Sequence, residues 1–184
     1  MTDSQLSRNT YSDRAAHGTG IPAAAEKISD AAWLRAILEF ERALAEAAAD
    51  VSLIDGETRA AALSVIDTTE LDLGAIAAAS AAGANPAIPI VAELKRRAEE
   101  QGLSTAGIHV GATSQDAIDT AIVLCLRRAA SHILSRTTEI ERILRALAVT
   151  HRTTPIMGRT LGQQALPTTF GLVAATWLQI GSHA

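Results

Sequence analysis

Aromatic residues and cysteine are scarce in this sequence. Aromatic side chains make up 3% of its 184 residues, whereas hydrophobic residues as a whole make up 48%. An alanine-rich composition of this kind suits closely packed helices, and strands usually need more β-branched and aromatic residues. We therefore expect an all-α fold with a sizeable core. The one cysteine, Cys125, allows no disulfide within the chain, which is typical of a reducing compartment, and we interpret it as a packing residue.

Basic residues are not in excess, and long apolar runs are missing. The chain has 16 Lys and Arg against 20 Asp and Glu, with no basic patch or tail, which argues against a nucleic-acid partner. No run of about eighteen uninterrupted apolar residues occurs, so no membrane span is predicted. The polar residues 1–20 lack an apolar signal core and are interpreted as a flexible tail. We expect a cytoplasmic protein.

Glycine and proline are both missing between Gly111 and Pro155, and this stretch organises the rest of the chain. Thr113 and Asp116 have the spacing of a capping box. An a/d heptad seam then predicts one helix over about residues 116–150, which is too long for a small core and needs a surrounding bundle from this chain or from other copies. The seam comprises Val123, Ala130, Thr137 and Leu144, and, three places later, Leu126, Ile133, Ile140 and Leu147.

Four shorter helices are predicted before the long one. The first runs from Ser29 or Asp30 to about residue 49. The second and third follow Asp55 and Asp72, and the fourth has Pro89 in its first turn. The first is expected to bury Trp33, Ile37, Phe40 and Leu44, and the fourth to contain an ion pair between Glu93 and Arg97.

Residues 153–167, which follow the long helix, are predicted to form an ordered polar loop, because they include two prolines and two glycines. Pro167 would then open a last, apolar helix. Such a helix is an odd way to finish a domain, so we expect the N-terminal part of a longer protein. We divide it into an N-terminal helical domain, 21–112, and the first part of a central bundle of long helices, 113–184.

Polar side chains near the start of the long helix form a first candidate site. Thr113, Ser114 and Gln115 add hydrogen-bond donors to the free N–H groups of the first helical turn, and His109 lies just before them. Together they would suit a carboxylate, with a titratable group at hand. The alternative is an ordinary capped helix beside a loop histidine, and spacing alone favours that alternative.

A second polar group follows the long helix and contains Arg159, Thr160, Gln163 and Gln164. The planar fork of Arg159 can hold a carboxylate. Alternatively, Arg159 pairs with an acidic residue of the bundle. The sequence supports the binding role and the structural role equally. The two polar groups would lie about 50 Å apart along the helix. They could therefore share a site only between antiparallel copies, most simply in a homotetramer with dihedral symmetry.

Two segments carry a family resemblance. HVGATSQDAIDTA, from His109, and GRTLGQQALPTTFG, from Gly158, resemble the first two motif regions of the fumarase/aspartase superfamily. The run NPAIPIV from Asn85 and the helix DAAWLRAILEFERALA from Asp30 are similar to the branch of bacterial 3-carboxy-cis,cis-muconate cycloisomerases. The resemblance extends over the chain from about Ile21.

The resemblance implies an all-α homotetramer whose active sites each draw on three subunits. In such enzymes a proton moves at a carbon next to a carboxylate, while a C–O or C–N bond breaks or forms at the neighbouring carbon. The substrate is a small polycarboxylate, and neither a metal nor an organic cofactor is implied. In the cycloisomerase branch a carboxylate adds to a diene and gives carboxymuconolactone, in protocatechuate degradation by the β-ketoadipate pathway.

The resemblance also implies roles for single residues. His109 and Ser114 would be catalytic, with His109 in substrate binding or proton transfer. Leu161 stands where many lyases of the superfamily have a histidine, which favours the cycloisomerase branch over adenylosuccinate lyase. The third family motif, a serine-bearing loop, would lie beyond Ala184. A non-catalytic helical assembly is a further alternative. The substrate-binding residues would be Asn85, Thr113, Gln115, Arg159, Thr160, Gln163 and Gln164.

Overall fold

A computed structural model describes residues 22–181, apart from the side chain of residue 82, and these residues are mostly helical. The all-α prediction is confirmed, with a small two-stranded sheet added. The expected tail, 1–20, lies outside the described residues. The elements in chain order are α1 Pro22–Glu26, α2 Asp30–Asp50, α3 Gly56–Thr68, α4 Leu73–Gly83, α5 Ala87–Glu100, α6 Ser114–Thr150, β1 Pro155–Thr160, β2 Gln163–Thr169 and α7 Phe170–Gly181.

The predicted caps start three of the helices. The Ser29 side chain accepts a hydrogen bond from the backbone N–H of Ala32 at 3.2 Å, and the Asp55 carboxylate accepts one from Thr58 at 2.7 Å. Asp72 does the same for the first turn of α4. Each bond gives a partner to an N–H group that the helix leaves free. The bonds from Thr58 also lower the pKa of Asp55 below its usual value.

Contacts divide the chain into two compact units, one that extends to Ala129 and one that begins at Ala130. The core of the first unit is formed by α2, α3 and α5 with the beginning of α6. The fully buried face of α2 differs from the predicted stripe, since Trp33 and Phe40 are only half-buried. Small residues let neighbouring helices approach closely, and four of the alanines of α2 are buried. The buried face comprises Ala32, Leu34, Ala36, Ile37, Glu41, Ala45 and Ala48.

The predicted ion pair between Glu93 and Arg97 forms within helix α5, and Arg97 also reaches the chain before α4. Arg97 Nε donates to Glu93 Oε1 at 2.7 Å, and its Nη2 donates to the backbone carbonyl of Glu70 at 2.8 Å. Arg96 also donates to both oxygens of Glu93. Arg96 and Arg97 together hold the pKa of Glu93 at about 2. The bond to Glu70 links α5 to the chain that precedes α4.

Helix α6 is continuous over 37 residues, as its lack of glycine and proline predicts. Its start shows one arm of the predicted capping box, because the Thr113 N–H donates to Asp116 Oδ2 at 2.9 Å. The larger seam residues, such as Val123, Leu126 and Ile140, are more than half exposed in the single chain. Among the described residues, no helix is both long and apolar enough to cross a bilayer.

The prediction of a polar loop after α6 was wrong, because residues 155–169 form an antiparallel hairpin. Pro167 pairs with Met157 within the sheet, and the last helix begins at Phe170. Proline is tolerated there because both strands of a two-stranded sheet are edges. A bulge lies between Met157 and Arg159, where a Cβ at Gly158 would come within 2.6 Å of a backbone carbonyl. Glycine and proline, which indicated a loop, here permit close strand pairing.

The junction of α6 and α7 requires glycine at position 171. A Cβ there would lie 2.7 Å from the carbonyl oxygens of Ala148 and His151 and from Cα of Arg152. We expect Gly171→Ala to lower the free energy of unfolding by about 1–3 kcal/mol, because the backbone must move apart. The matched control, Gly56→Ala, adds a methyl group to open space and should change it by less than about 0.5 kcal/mol. Thermal denaturation of both variants compares them, and equal midpoints would contradict the packing argument.

Candidate functional site

The turn before α6 presents His109. Ile108 is buried in the core, and the backbone of His109 has a φ of 58°, in the left-handed region. Histidine is one of the few residues besides glycine that adopt this conformation with some frequency. Gly111 follows with a φ of 72°. The chain therefore reverses around His109 and leaves its side chain 16% exposed, next to the start of α6.

The ring of His109 is hydrogen-bonded to Glu41 of α2, on the side that faces the core. Nδ1 of His109 lies 2.6 Å from Oε1 of Glu41, and the Glu41 side chain is 0% exposed. The other carboxyl oxygen, Oε2, has no hydrogen-bond partner among the described residues. Sequence reasoning missed Glu41. The signal was an acidic residue four places after Ile37, on the face that α2 turns to the core.

Asn85 and Ser114 join the starts of α5 and α6. Nδ2 of Asn85 donates to the Ser114 hydroxyl at 2.9 Å, while Oδ1 accepts from the backbone N–H of Ala87 at 3.0 Å. The amide thus orients the hydroxyl at the first residue of α6, where the positive end of the helix dipole lies. Asn85, His109 and Ser114, which are predicted site residues, occur together in the first unit.

His109 and Ser114 line a cleft of about 310 Å³ between α5 and the start of α6. Lys95, which sequence reasoning did not single out, also lines the cleft and contributes an ammonium group. The remaining lining residues are the apolar Ala87, Ile88, Val91 and Ala92 of α5. An ammonium group, a hydroxyl and an imidazole beside a helix N-terminus are suitable for binding a carboxylate and moving a proton.

Thr113 and Gln115 make local contacts beside this cleft. The Gln115 amide donates to Asp119 Oδ1 at 2.7 Å, within α6, and the Thr113 N–H is bonded to Asp116. Neither residue lines the cleft in the single chain. Over residues 22–181, no three His, Cys, Asp or Glu side chains come together in a way that would hold a metal ion.

The second polar group lies at the tip of the hairpin, in the second unit. Arg159 pairs with Gln164, and Thr160 pairs with Gln163, in the strand register. All four residues are exposed. The guanidinium of Arg159 forms no ion pair or hydrogen bond with any residue that the structure describes. The alternative in which a bundle acid holds Arg159 therefore has no support in the described part of one chain.

Comparison with known proteins identifies the family. The family model described as Lyase matches residues 7–183. The chain belongs to this family, within the fumarase/aspartase superfamily. The resemblance that the two motifs predict is thereby confirmed, and the hairpin and the start of α6 carry those motifs.

The lyase-family relatives differ in the reactions that their names describe. The chain is 42% identical to nitrosuccinate lyase of Streptomyces davaonensis over 168 residues, which cover 91% of this chain and 35% of the relative. It is 39% identical to 3-carboxy-cis,cis-muconate cycloisomerase of Pseudomonas putida over 156 residues, 84% of this chain and 37% of the relative. The chain thus spans about a third of the length of these relatives.

The solved structure of the 3-carboxy-cis,cis-muconate lactonizing enzyme from Pseudomonas putida has the same fold. Its TM-score is 0.80 at 38% sequence identity, over 88% of this chain and 37% of that chain. The fumarase/aspartase-like fold that the sequence predicts is therefore confirmed.

Proposed function

We propose that this chain supplies part of the active site of a cycloisomerase that converts 3-carboxy-cis,cis-muconate to carboxymuconolactone, in protocatechuate degradation. The observation that carries the proposal is the cleft beside α6. There His109, backed by a buried carboxyl group, stands next to the Ser114 hydroxyl at a helix N-terminus. The relative of Pseudomonas putida with this activity is 39% identical.

The residues of the cleft have distinct roles in the proposed reaction. One substrate carboxylate would lie against Ser114, the N–H groups of the first turn of α6 and Lys95. Another carboxylate adds to the diene and forms a C–O bond, while the carbon next to a carboxylate gains a proton that His109 can carry. Negative charge develops on the carboxylate next to the carbon that gains the proton. Ser114, the N–H groups of the first turn of α6 and Lys95 stabilise this charge. The carboxylate lone pair forms the C–O bond, and the electron pair of the broken C=C π bond takes up the proton at the neighbouring carbon. His109 delivers that proton and regains one from solvent, so atoms, electrons and charge balance.

Homo-oligomeric assembly is part of the proposal. The exposed apolar seam of α6 would pack on long helices of other copies, most simply in a tetramer, and each active site would draw on more than one copy. Arg159, Thr160, Gln163 and Gln164 at the hairpin tip would then hold a second carboxylate. Their exposure and the unpaired guanidinium in the single chain support this role.

A second candidate is a lyase that acts on nitrosuccinate, because the relative with that name is 42% identical. Nitrosuccinate and carboxymuconate both carry at least two carboxylates, so the same cleft chemistry serves either. Adenylosuccinate lyase is disfavoured by Leu161, which is 97% exposed at the hairpin tip and cannot transfer a proton.

A substrate panel on the full-length protein tests these candidates. 3-Carboxy-cis,cis-muconate, nitrosuccinate and adenylosuccinate are each supplied alone, and the products are identified by chromatography. Formation of carboxymuconolactone supports the proposal. Turnover of nitrosuccinate alone favours the second candidate, and turnover of none of the three rejects both in favour of a non-catalytic assembly or a different substrate.

Arg159→Lys is expected to raise the Michaelis constant by about tenfold, because lysine keeps the charge but loses the planar fork that binds a carboxylate through two hydrogen bonds. The melting temperature should stay within a degree or two, since the side chain is exposed. Steady-state kinetics at several substrate concentrations separate the two constants. Arg142→Lys is the control for the substitution itself, because Arg142 pairs only with Glu139 of its own helix among residues 22–181. A lower melting temperature with normal kinetics would show that Arg159 is a structural residue.

A further inference from the structure

Glu41 is the charged side chain that the described fold buries completely. It lies on α2 among Leu34, Ile37 and the inward-facing alanines, where no water can solvate it. A carboxylate in such surroundings is stable only with a hydrogen-bonded or charged partner. His109 supplies the one hydrogen bond that the Glu41 side chain has among the described residues, through Oε1, and Oε2 is unsatisfied. The two side chains are therefore energetically dependent on each other.

The direction of this hydrogen bond determines what His109 can do. An ionised carboxylate only accepts, so the hydrogen would lie on Nδ1 and the lone pair of the neutral ring on Nε2. A protonated Glu41 would donate to Nδ1 and reverse the tautomer. No other donor among the described residues reaches the Glu41 carboxyl group, so we assign the shared hydrogen to the ring N–H. The separation of 2.6 Å also suits a charge-assisted bond.

We propose that Glu41 is a positioning residue for His109: its buried carboxylate holds the hydrogen on Nδ1 and leaves Nε2 as the atom that takes up a proton and passes it to the substrate. The inference rests on the proposed function, in which His109 delivers a proton to the substrate. Glu41 holds Nδ1 of the ring, and the neighbouring Ile108, which is buried in the core, holds the left-handed turn that carries it. No residue that the structure describes forms a hydrogen bond with Nε2, which stays available to a ligand.

The alternative role for Glu41 is a plain tether of the turn, for which any hydrogen-bonding side chain of equal length would serve. Glu41→Gln separates the two roles because glutamine keeps the length and shape but can donate to Nδ1 as well as accept. Glu39→Gln is the matched control. It removes the same charge from the same helix, where Glu39 pairs with Arg128 and not with His109.

Solid-state 15N NMR of the full-length protein, labelled at its histidine rings, measures the tautomer directly. The spectra are recorded without substrate at alkaline pH, where histidine is neutral, and the His109 signals are those lost in His109→Asn. We expect protonated Nδ1 and unprotonated Nε2 in the parent and in Glu39→Gln. Glu41→Gln should show a mixture of tautomers or the reverse one.

Kinetics complete the test. We expect Glu41→Gln to lower kcat by about tenfold or more, with the Michaelis constant within about threefold of the parent, on the scale found for groups that orient a working histidine. Glu39→Gln should leave both constants unchanged. An Nε2-protonated ring in the parent, or full kcat in Glu41→Gln, would overturn the inference. Because the tautomer is read without substrate, a panel in which no compound reacts rejects the proposed function and leaves this inference to be decided by the spectra.

Discussion

Replacing His109 with asparagine is expected to lower the turnover of the full-length protein by about a hundredfold or more, the usual scale for a positioned acid–base group. Asparagine retains a hydrogen-bonding side chain and tolerates the left-handed backbone of this position, where φ is 58°. It cannot titrate, so the substrate carbon would lose its proton carrier. Steady-state rates with the substrate that the panel identifies measure the effect.

The single substitution also leaves the buried carboxylate of Glu41 without its hydrogen-bond partner, which costs stability by about 1–3 kcal/mol or more for a charged group. A double variant, His109→Asn with Glu41→Gln, removes that unpaired charge. We expect the double variant to regain most of the melting temperature and none of the turnover. If turnover returned together with stability, His109 would be a structural residue of an ordinary capped helix.

The isolated 184-residue chain is expected to self-associate and to show no lactonization. Seam residues such as Val123, Leu126 and Ile140 are more than half exposed in one copy, and Trp177 and Ile180 of α7 are exposed as well. Contiguous apolar patches beyond a few hundred Å² usually drive association. Light scattering over a range of concentrations, with an activity assay on the same samples, measures both properties.

A variant with Leu126→Glu and Ile140→Glu serves as the control for association, because it places charge on the seam without touching the cleft. We expect it to be smaller in solution than the parent chain at every concentration. A monodisperse parent monomer would contradict the packing argument. Lactonization by the isolated chain would mean that its own residues, with His109 first among them, complete the proton transfer.

Much of the helical fold could be predicted because its signals are local. Ser29, Asp55 and Asp72 cap the helices that they were expected to cap, and the absence of glycine and proline gave the length of α6. The hairpin was missed for the same reason. Gly158 and Pro167 are loop signals in isolation, and only the pairing of two short edge strands reveals that they permit a bulge and a ladder.

The site was only partly predictable, because side-chain partners distant in sequence leave no periodic signal. His109 was identified because it lies just before a predicted helix, and Ser114 because it lies at the start of that helix. Glu41 lies 68 residues before His109, and its burial depends on which face α2 turns inward. That face is set by alanines, which the stripe of large apolar residues did not show. Lys95 lies among other charged residues of α5, and only the folded structure shows that it lines the cleft.

The hairpin begins where α6 ends and finishes where α7 begins, and these two helix ends lie side by side. The N–H of Phe170 donates to the carbonyl of Thr154, and the N–H of Gly171 donates to the carbonyl of His151, both at 2.9 Å. These two hydrogen bonds join the end of α6 to the start of α7. The two strands and their tip at Leu161 and Gly162 lie entirely between those two hydrogen bonds. A change in the length or composition of the tip is therefore expected to leave the alignment of the two helices intact.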